Sequence, residues 1–134
     1  MIAAEVTVKC QFYDLDPMGI VWHGNYPRFF ELARCALDKM DYNYQQMSDS
    51  GYAWPIVDMR IKYIRSIRFA EEVRVRAILA EYENRLKINY EINHRDTGEK
   101  ITRGYTIQVA VDQRTEEMLF QSPPVLYDKV GLLL

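Results

Sequence analysis

The sequence predicts an α+β domain in which one long helix is buried against a curved antiparallel sheet of five strands. Three observations carry this: an alternating segment at the start, one stretch of helical spacing, and a change to period two that then persists. At 134 residues the chain has the size of a single domain, so 1–134 reads as one unit. Its composition, 49% hydrophobic and 27% charged with 6 Gly and 5 Pro, suits a packed core and argues against disorder as the main state.

In the first strand Val6, Val8, Cys10 and Phe12 alternate with Thr7, Lys9 and Gln11. It stops at Tyr13-Asp14-Leu15-Asp16-Pro17-Met18-Gly19, which carries the Asp, Pro and Gly of a turn. The helix is expected over residues 26–40. Asn25 is placed to cap it, and Pro27 falls in the first turn, where a missing N–H is harmless. Tyr26, Phe29, Phe30, Ala33, Ala36, Leu37 and Met40 recur at steps of three and four. Leu32 and Cys35 widen that stripe, so burial on more than one side is expected. A short helical piece over 44–50 ends at Gly51. Strands are then expected over 56–67, 73–79, 86–92 and 101–111, joined as a four-stranded antiparallel meander. Turns fall at Glu83-Asn84-Arg85, at Asp96-Thr97-Gly98-Glu99 and after Asp112. One helix cannot cover five strands, so a homo-oligomer is expected to hide the remaining sheet and its edge.

Several function classes are disfavoured. The net charge is −2 with acids and bases interspersed, which gives no basic stripe for nucleic acid. No run reaches the ~18 apolar residues of a membrane span, and Met1-Ile2-Ala3-Ala4-Glu5 lacks the basic start of a secretory leader. A soluble, cytoplasmic protein is expected, with Cys10 and Cys35 as buried free thiols. The apolar tail 131–134 is expected to pack on a neighbour or fray. His23 and His94 are far apart and no cysteines cluster, so no metal is expected. The sequence has no phosphate loop or dinucleotide fingerprint and implies no cofactor.

The chemistry concentrates in the segment from Tyr13 to Tyr26. It sets two carboxylates, Asp14 and Asp16, with Gly19 and His23 just before the start of the buried helix. The first helical turn has unpaired N–H groups and a partial positive end, which suits an anion or a developing oxyanion. A carboxylate beside it can act as nucleophile or general base, a combination fit for acyl transfer. Asp next to Pro and Gly also caps turns, which is the plainer role and the expected one for Asp14. His94 is expected at the surface.

Asp16-Pro17-Met18-Gly19-Ile20-Val21-Trp22-His23, followed by Asn25-Tyr26 and Phe29-Phe30-Glu31, resembles the 4-hydroxybenzoyl-CoA thioesterase family of hotdog proteins. The shared pattern is D-x-x-G-x-V-(W/Y)-(H/Y)-x-x-Y and then an F-E helix. The likeness continues through 61–72, where Ser66 and Ala70 stand at positions that often hold Pro and Gly in the family. The resemblance implies a hotdog fold and hydrolysis of an acyl-CoA thioester to CoA and a free acid. Asp16 matches the catalytic carboxylate, as nucleophile or general base. His23 matches a His/Tyr position of auxiliary role, and the backbone N–H near His23, with Gly24, matches the oxyanion donor. It further implies a dimer or tetramer with the site between subunits, and an acyl carrier protein remains open in place of CoA.

Around this core, Trp22 and Tyr26 are candidates to line an acyl tunnel. Arg60, Lys62 and Arg65, with Arg68 nearby, are candidates to meet the phosphates of CoA. Two other readings stay open: a hotdog dehydratase or hydratase using His23 and Glu31, and a non-catalytic acyl-CoA-binding protein. Glu31 is otherwise expected in an ion pair with Arg34 or Arg28.

Overall fold

A computed structural model describes residues 2–133; the expectation for the last residue of the tail, Leu134, lies outside the described residues. β1 (Ala3–Lys9) leads through a long loop into α1 (Tyr26–Cys35) and α2 (Tyr44–Asp49). β2 (Tyr52–Ala53), β3 (Ile56–Tyr63), β4 (Glu72–Glu81), β5 (Leu86–His94), β6 (Lys100–Gln108) and β7 (Val111–Asp112) follow, and then α3 (Pro124–Gly131). The main sheet has five antiparallel strands in the order β1-β4-β5-β6-β3, while β2 and β7 form a small separate ladder. The fold class is the expected one.

The strand connections differ from the expected meander, which holds only for β4, β5 and β6. β3 pairs with β6, Met59 opposite Thr106 and Tyr63 opposite Thr102, and so lies at the edge far from β1. Alternation marks where a strand is and leaves its neighbour open, because pairing is set by long-range packing. The segment between β3 and β4 therefore crosses the end of the sheet, where Ile67 is fully buried.

α1 lies on the face made by Val73, Val75, Ala77, Ile88, Tyr90 and Ile92, all buried. Phe30 stacks on Tyr90, ring centres 4.4 Å apart and planes within 4°. Gly104 permits this approach, since a Cβ there would stand 3.0 Å from the Phe30 ring and 2.5 Å from the Arg60 carbonyl. The helix is shorter than expected. It gives way after Cys35 to a 3-10 turn over Ala36–Met40, with Leu37 at ψ 27°. Leu32 and Cys35 are exposed, which corrects the expectation that they widen the buried stripe. Asn25 also corrects an expectation: it already has helical angles, because a 3-10 turn over His23–Asn25 precedes the helix, and its side chain does not cap. Cys10 is free and buried, and burial pushes its thiol up from the ordinary value.

α3 has no counterpart in the sequence reading. It starts on Pro124, buries Leu126 and Val130 one turn apart, and is tied down by the Tyr127 hydroxyl, which donates to the Glu83 carbonyl at 2.7 Å. No helix among the described residues is long and apolar enough to cross a membrane.

Ala70, in the segment between β3 and β4, has φ +67°. A Cβ in this left-handed region is strained by ~1–2 kcal/mol, a cost glycine escapes. Ala70→Gly is accordingly expected to stabilise the fold by roughly 0.5–1 kcal/mol after the looser unfolded chain is counted. Thermal unfolding would show a midpoint higher by about 2–4 °C, and an unchanged or lower midpoint would contradict the strain.

Candidate active site at the entry to the central helix

The loop between β1 and α1 folds as a small hairpin. Leu15 and Val21 form an antiparallel bridge, and the Asp16 N–H donates to the Ile20 carbonyl at 2.8 Å. The returning arm lies against the crossing segment: Val21 N–H donates to the Ile67 carbonyl at 2.8 Å, and Ile20 bridges Arg68. The tip of this hairpin holds Asp16, half-buried, with Oδ1 accepting the N–H groups of Met18 at 2.8 Å and Ile20 at 3.4 Å. The carboxylate thus caps its own turn, and the same contacts fix its position on the loop that runs into α1.

Asp14 is the buried carboxylate of the pair, 2% exposed. It accepts the Gln11 N–H at 2.9 Å and pairs with the guanidinium of Arg28. Its carbonyl accepts the Trp22 N–H at 2.9 Å and the Asn25 side-chain amide at 3.0 Å. Asp14 therefore does the structural work expected of it, but through a tie to the helix that sequence spacing did not disclose.

The chain turns into the helix at Trp22-His23-Gly24. The first N–H groups of a helical segment have no partner within it, so this turn presents backbone donors. Trp22 folds its indole over Gly24; a Cβ at 24 would meet it at 2.4 to 2.8 Å. His23 is exposed, its ring 5.4 Å from that of Trp22. Tyr63, at the end of β3, donates its hydroxyl to the His23 carbonyl at 2.9 Å and packs edge-on against Tyr26, ring centres 4.8 Å apart. Nothing local in the sequence joined Tyr63 to His23; the contact comes from the place of β3 in the sheet. Tyr26 is buried beneath, and burial pushes its hydroxyl up to about 12.

A cavity of about 590 Å³ opens at the other end of α1, walled by Leu37, Met40, Tyr42, Trp54, Leu86 and Ile88 among others. Its volume and apolar lining are those of a small-molecule pocket. Gln108 forms part of the wall, holding the Trp54 carbonyl at 2.7 Å and accepting from Arg34 at 3.1 Å. In one chain roughly 15 Å of helix separates this cavity from the Asp16 hairpin.

With this geometry in view, comparison with known proteins decides the family. Residues 10–130 match the thioesterase-like superfamily. The chain belongs to that superfamily. It is 28% identical over 126 residues to the "Putative esterase sll0410" of Synechocystis, covering 92% of this chain and 76% of that protein. It is 27% identical over 117 residues to the "Putative acyl-CoA thioesterase YneP" of Bacillus subtilis, covering 86% of this chain and 84% of that protein. The crystal structure of the DHNA-CoA thioesterase from Staphylococcus aureus superposes with a TM-score of 0.84 at 27% identity, over 99% of this chain and 91% of that one. The resemblance to hotdog thioesterases and the hotdog fold are thereby borne out.

In this thioesterase-like chain the other candidates are spread out. Arg60 and Lys62 are exposed and share one face of β3, opposite to the face that carries Met59, Ile61 and Tyr63. Arg65 is taken up elsewhere: it bonds Glu71 at 3.0 Å and Glu99 at 2.9 Å, and holds the Glu71 carboxyl below its usual range. Glu31 accepts from Arg34 at 2.8 Å, as expected, and stands about 12 Å along the helix from His23. One chain therefore does not unite the His23–Glu31 pair of a dehydratase. Among the described residues no three metal-binding side chains cluster.

Proposed function

We propose that this protein hydrolyses acyl-CoA thioesters, with Asp16 as nucleophile or general base and the N–H groups at His23 and Gly24 as oxyanion donors. The carrying observation is Asp16 itself, pinned by two backbone N–H groups on a hairpin that leads directly into the buried helix. Family membership and the names of the relatives in Bacillus subtilis and Staphylococcus aureus support the reaction class. A preorganised donor of this kind contributes ~2.7–4 kcal/mol to acyl transfer.

The cavity supports a site completed by a second copy. β3 is an edge strand with Ile56, Val57, Met59 and Tyr63 exposed, a surface that monomeric proteins usually cover. Antiparallel pairing of two such edges would set the start of one β3 beside the end of the other. Trp54 and Pro55, just before β3, wall the cavity, and Tyr63, at its end, touches His23. The acyl group would then lie in the cavity of one copy and its thioester at the Asp16 hairpin of the other. Arg60 and Lys62, exposed on the face of β3 opposite Tyr63, are our candidates to meet the phosphates of CoA or of an acyl carrier protein across such an interface. Two free thiols fit a cytoplasmic setting.

Thiol release from acetyl- through palmitoyl-CoA, benzoyl-CoA and phenylacetyl-CoA tests this reading. Turnover is expected to favour acyl groups large enough to fill the cavity. Tight binding with no release of thiol from any of them would overturn hydrolysis in favour of an acyl-CoA-binding protein.

A further inference from the structure

The His23–Gly24 peptide is held from outside its own loop. Its carbonyl accepts the Tyr63 hydroxyl at 2.9 Å, and the opposite end of the same peptide is the Gly24 N–H, one of the proposed oxyanion donors. A bond accepted by a peptide carbonyl draws charge through the planar amide and strengthens the N–H at its other end. The contact adds to the 3-10 turn over His23–Asn25 and the Trp22 indole in fixing the orientation of the peptide. Tyr63 in turn is braced edge-on by the buried ring of Tyr26.

Resting on the hydrolytic reading above, we propose that Tyr63 is a positioning residue for the reaction: its hydroxyl aims and polarises the His23–Gly24 peptide so that the peptide stabilises the oxyanion. No proton is transferred by Tyr63 and no covalent step involves it; it donates one hydrogen bond throughout. Desolvation raises its hydroxyl above the ordinary tyrosine value, so the donor stays protonated at neutral pH. This assigns β3 a task in catalysis beyond its place in the sheet, since the strand delivers the hydroxyl to a loop 40 positions earlier.

Tyr63→Phe removes the hydroxyl and keeps the ring that packs on Tyr26, so it tests the hydrogen bond with little disturbance to the fold. With the best acyl-CoA of the panel, kcat is expected to fall about tenfold, the worth of one hydrogen bond realised in the transition state, with KM within about twofold. The second readout is the stretching frequency of a ¹³C-labelled thioester carbonyl bound to the Asp16→Asn protein, which is expected to hold substrate long enough for the measurement because its turnover is slowed. That band is expected to shift down on binding, and to shift less when Tyr63→Phe is added. An unchanged kcat in Tyr63→Phe beside an active wild type would overturn the role of Tyr63 alone. A lower kcat with an unaltered carbonyl shift would also overturn it, since the hydroxyl would then act only on the fold. A wild type that cleaves no thioester would overturn the hydrolytic reading and this assignment with it.

Discussion

Arg28→Ala is expected to destabilise the fold by about 1–3 kcal/mol, the cost of leaving a buried acceptor without its partner. The two halves of the pair are unequal. Asp14 is 2% exposed, whereas the Arg28 side chain is 47% exposed. Removing the arginine leaves a buried carboxylate with the Gln11 N–H as its remaining donor. Removing the carboxylate instead leaves a guanidinium that reaches water, so Asp14→Ala is expected to cost less than Arg28→Ala. The double variant should be more stable than the sum of the two losses predicts. Urea unfolding of the four proteins checks this; equal losses that add independently would show that the pair does not hold the loop to the helix. Because Asp14 also anchors Trp22 and Asn25 through its carbonyl, the hairpin and the helix start are expected to loosen together.

Much of the fold was legible in the sequence because it is written in local periods. The alternation of Val73 and Val75, of Leu86, Ile88, Tyr90 and Ile92, and of Ile101 onward marks β4, β5 and β6, and these strands pair in sequence order. The spacing of Tyr26, Phe29, Phe30 and Ala33 marks the buried face of α1. What escaped was decided at a distance. β3 has the same alternation whether it lies beside β4 or β6, and its pairing with β6 is a long-range contact that local alternation does not carry. The helix break at Leu37 and the exposure of Leu32 and Cys35 are not written in the spacing either, because helical spacing marks apolar positions and not what packs against them. Within the candidate site, the turn at Asp16 was legible from Asp-Pro-Met-Gly, while the hairpin it closes was not. The Asp14–Arg28 tie and the reach of Tyr63 to His23 were not, because each joins elements whose approach exists only in the folded sheet.

Asp16→Asn is expected to lower turnover by at least ~100-fold, the low end for loss of a general acid or base. The substitution isolates the chemistry well. The amide oxygen of asparagine can still accept the Met18 and Ile20 N–H groups, so the hairpin is expected to keep its shape. What is lost is the charge, and with it both ways the residue can serve: attack on the thioester carbonyl and activation of water. The buried core beneath the loop is untouched, so thermal stability should match the wild type. The most direct measurement is therefore the initial rate of thiol release from the preferred acyl-CoA, taken side by side for wild type and Asp16→Asn with substrate affinity measured for both. A fall of that size with affinity retained is the predicted result; turnover by Asp16→Asn close to that of the wild type would contradict the assignment of the hydrolysis to this carboxylate.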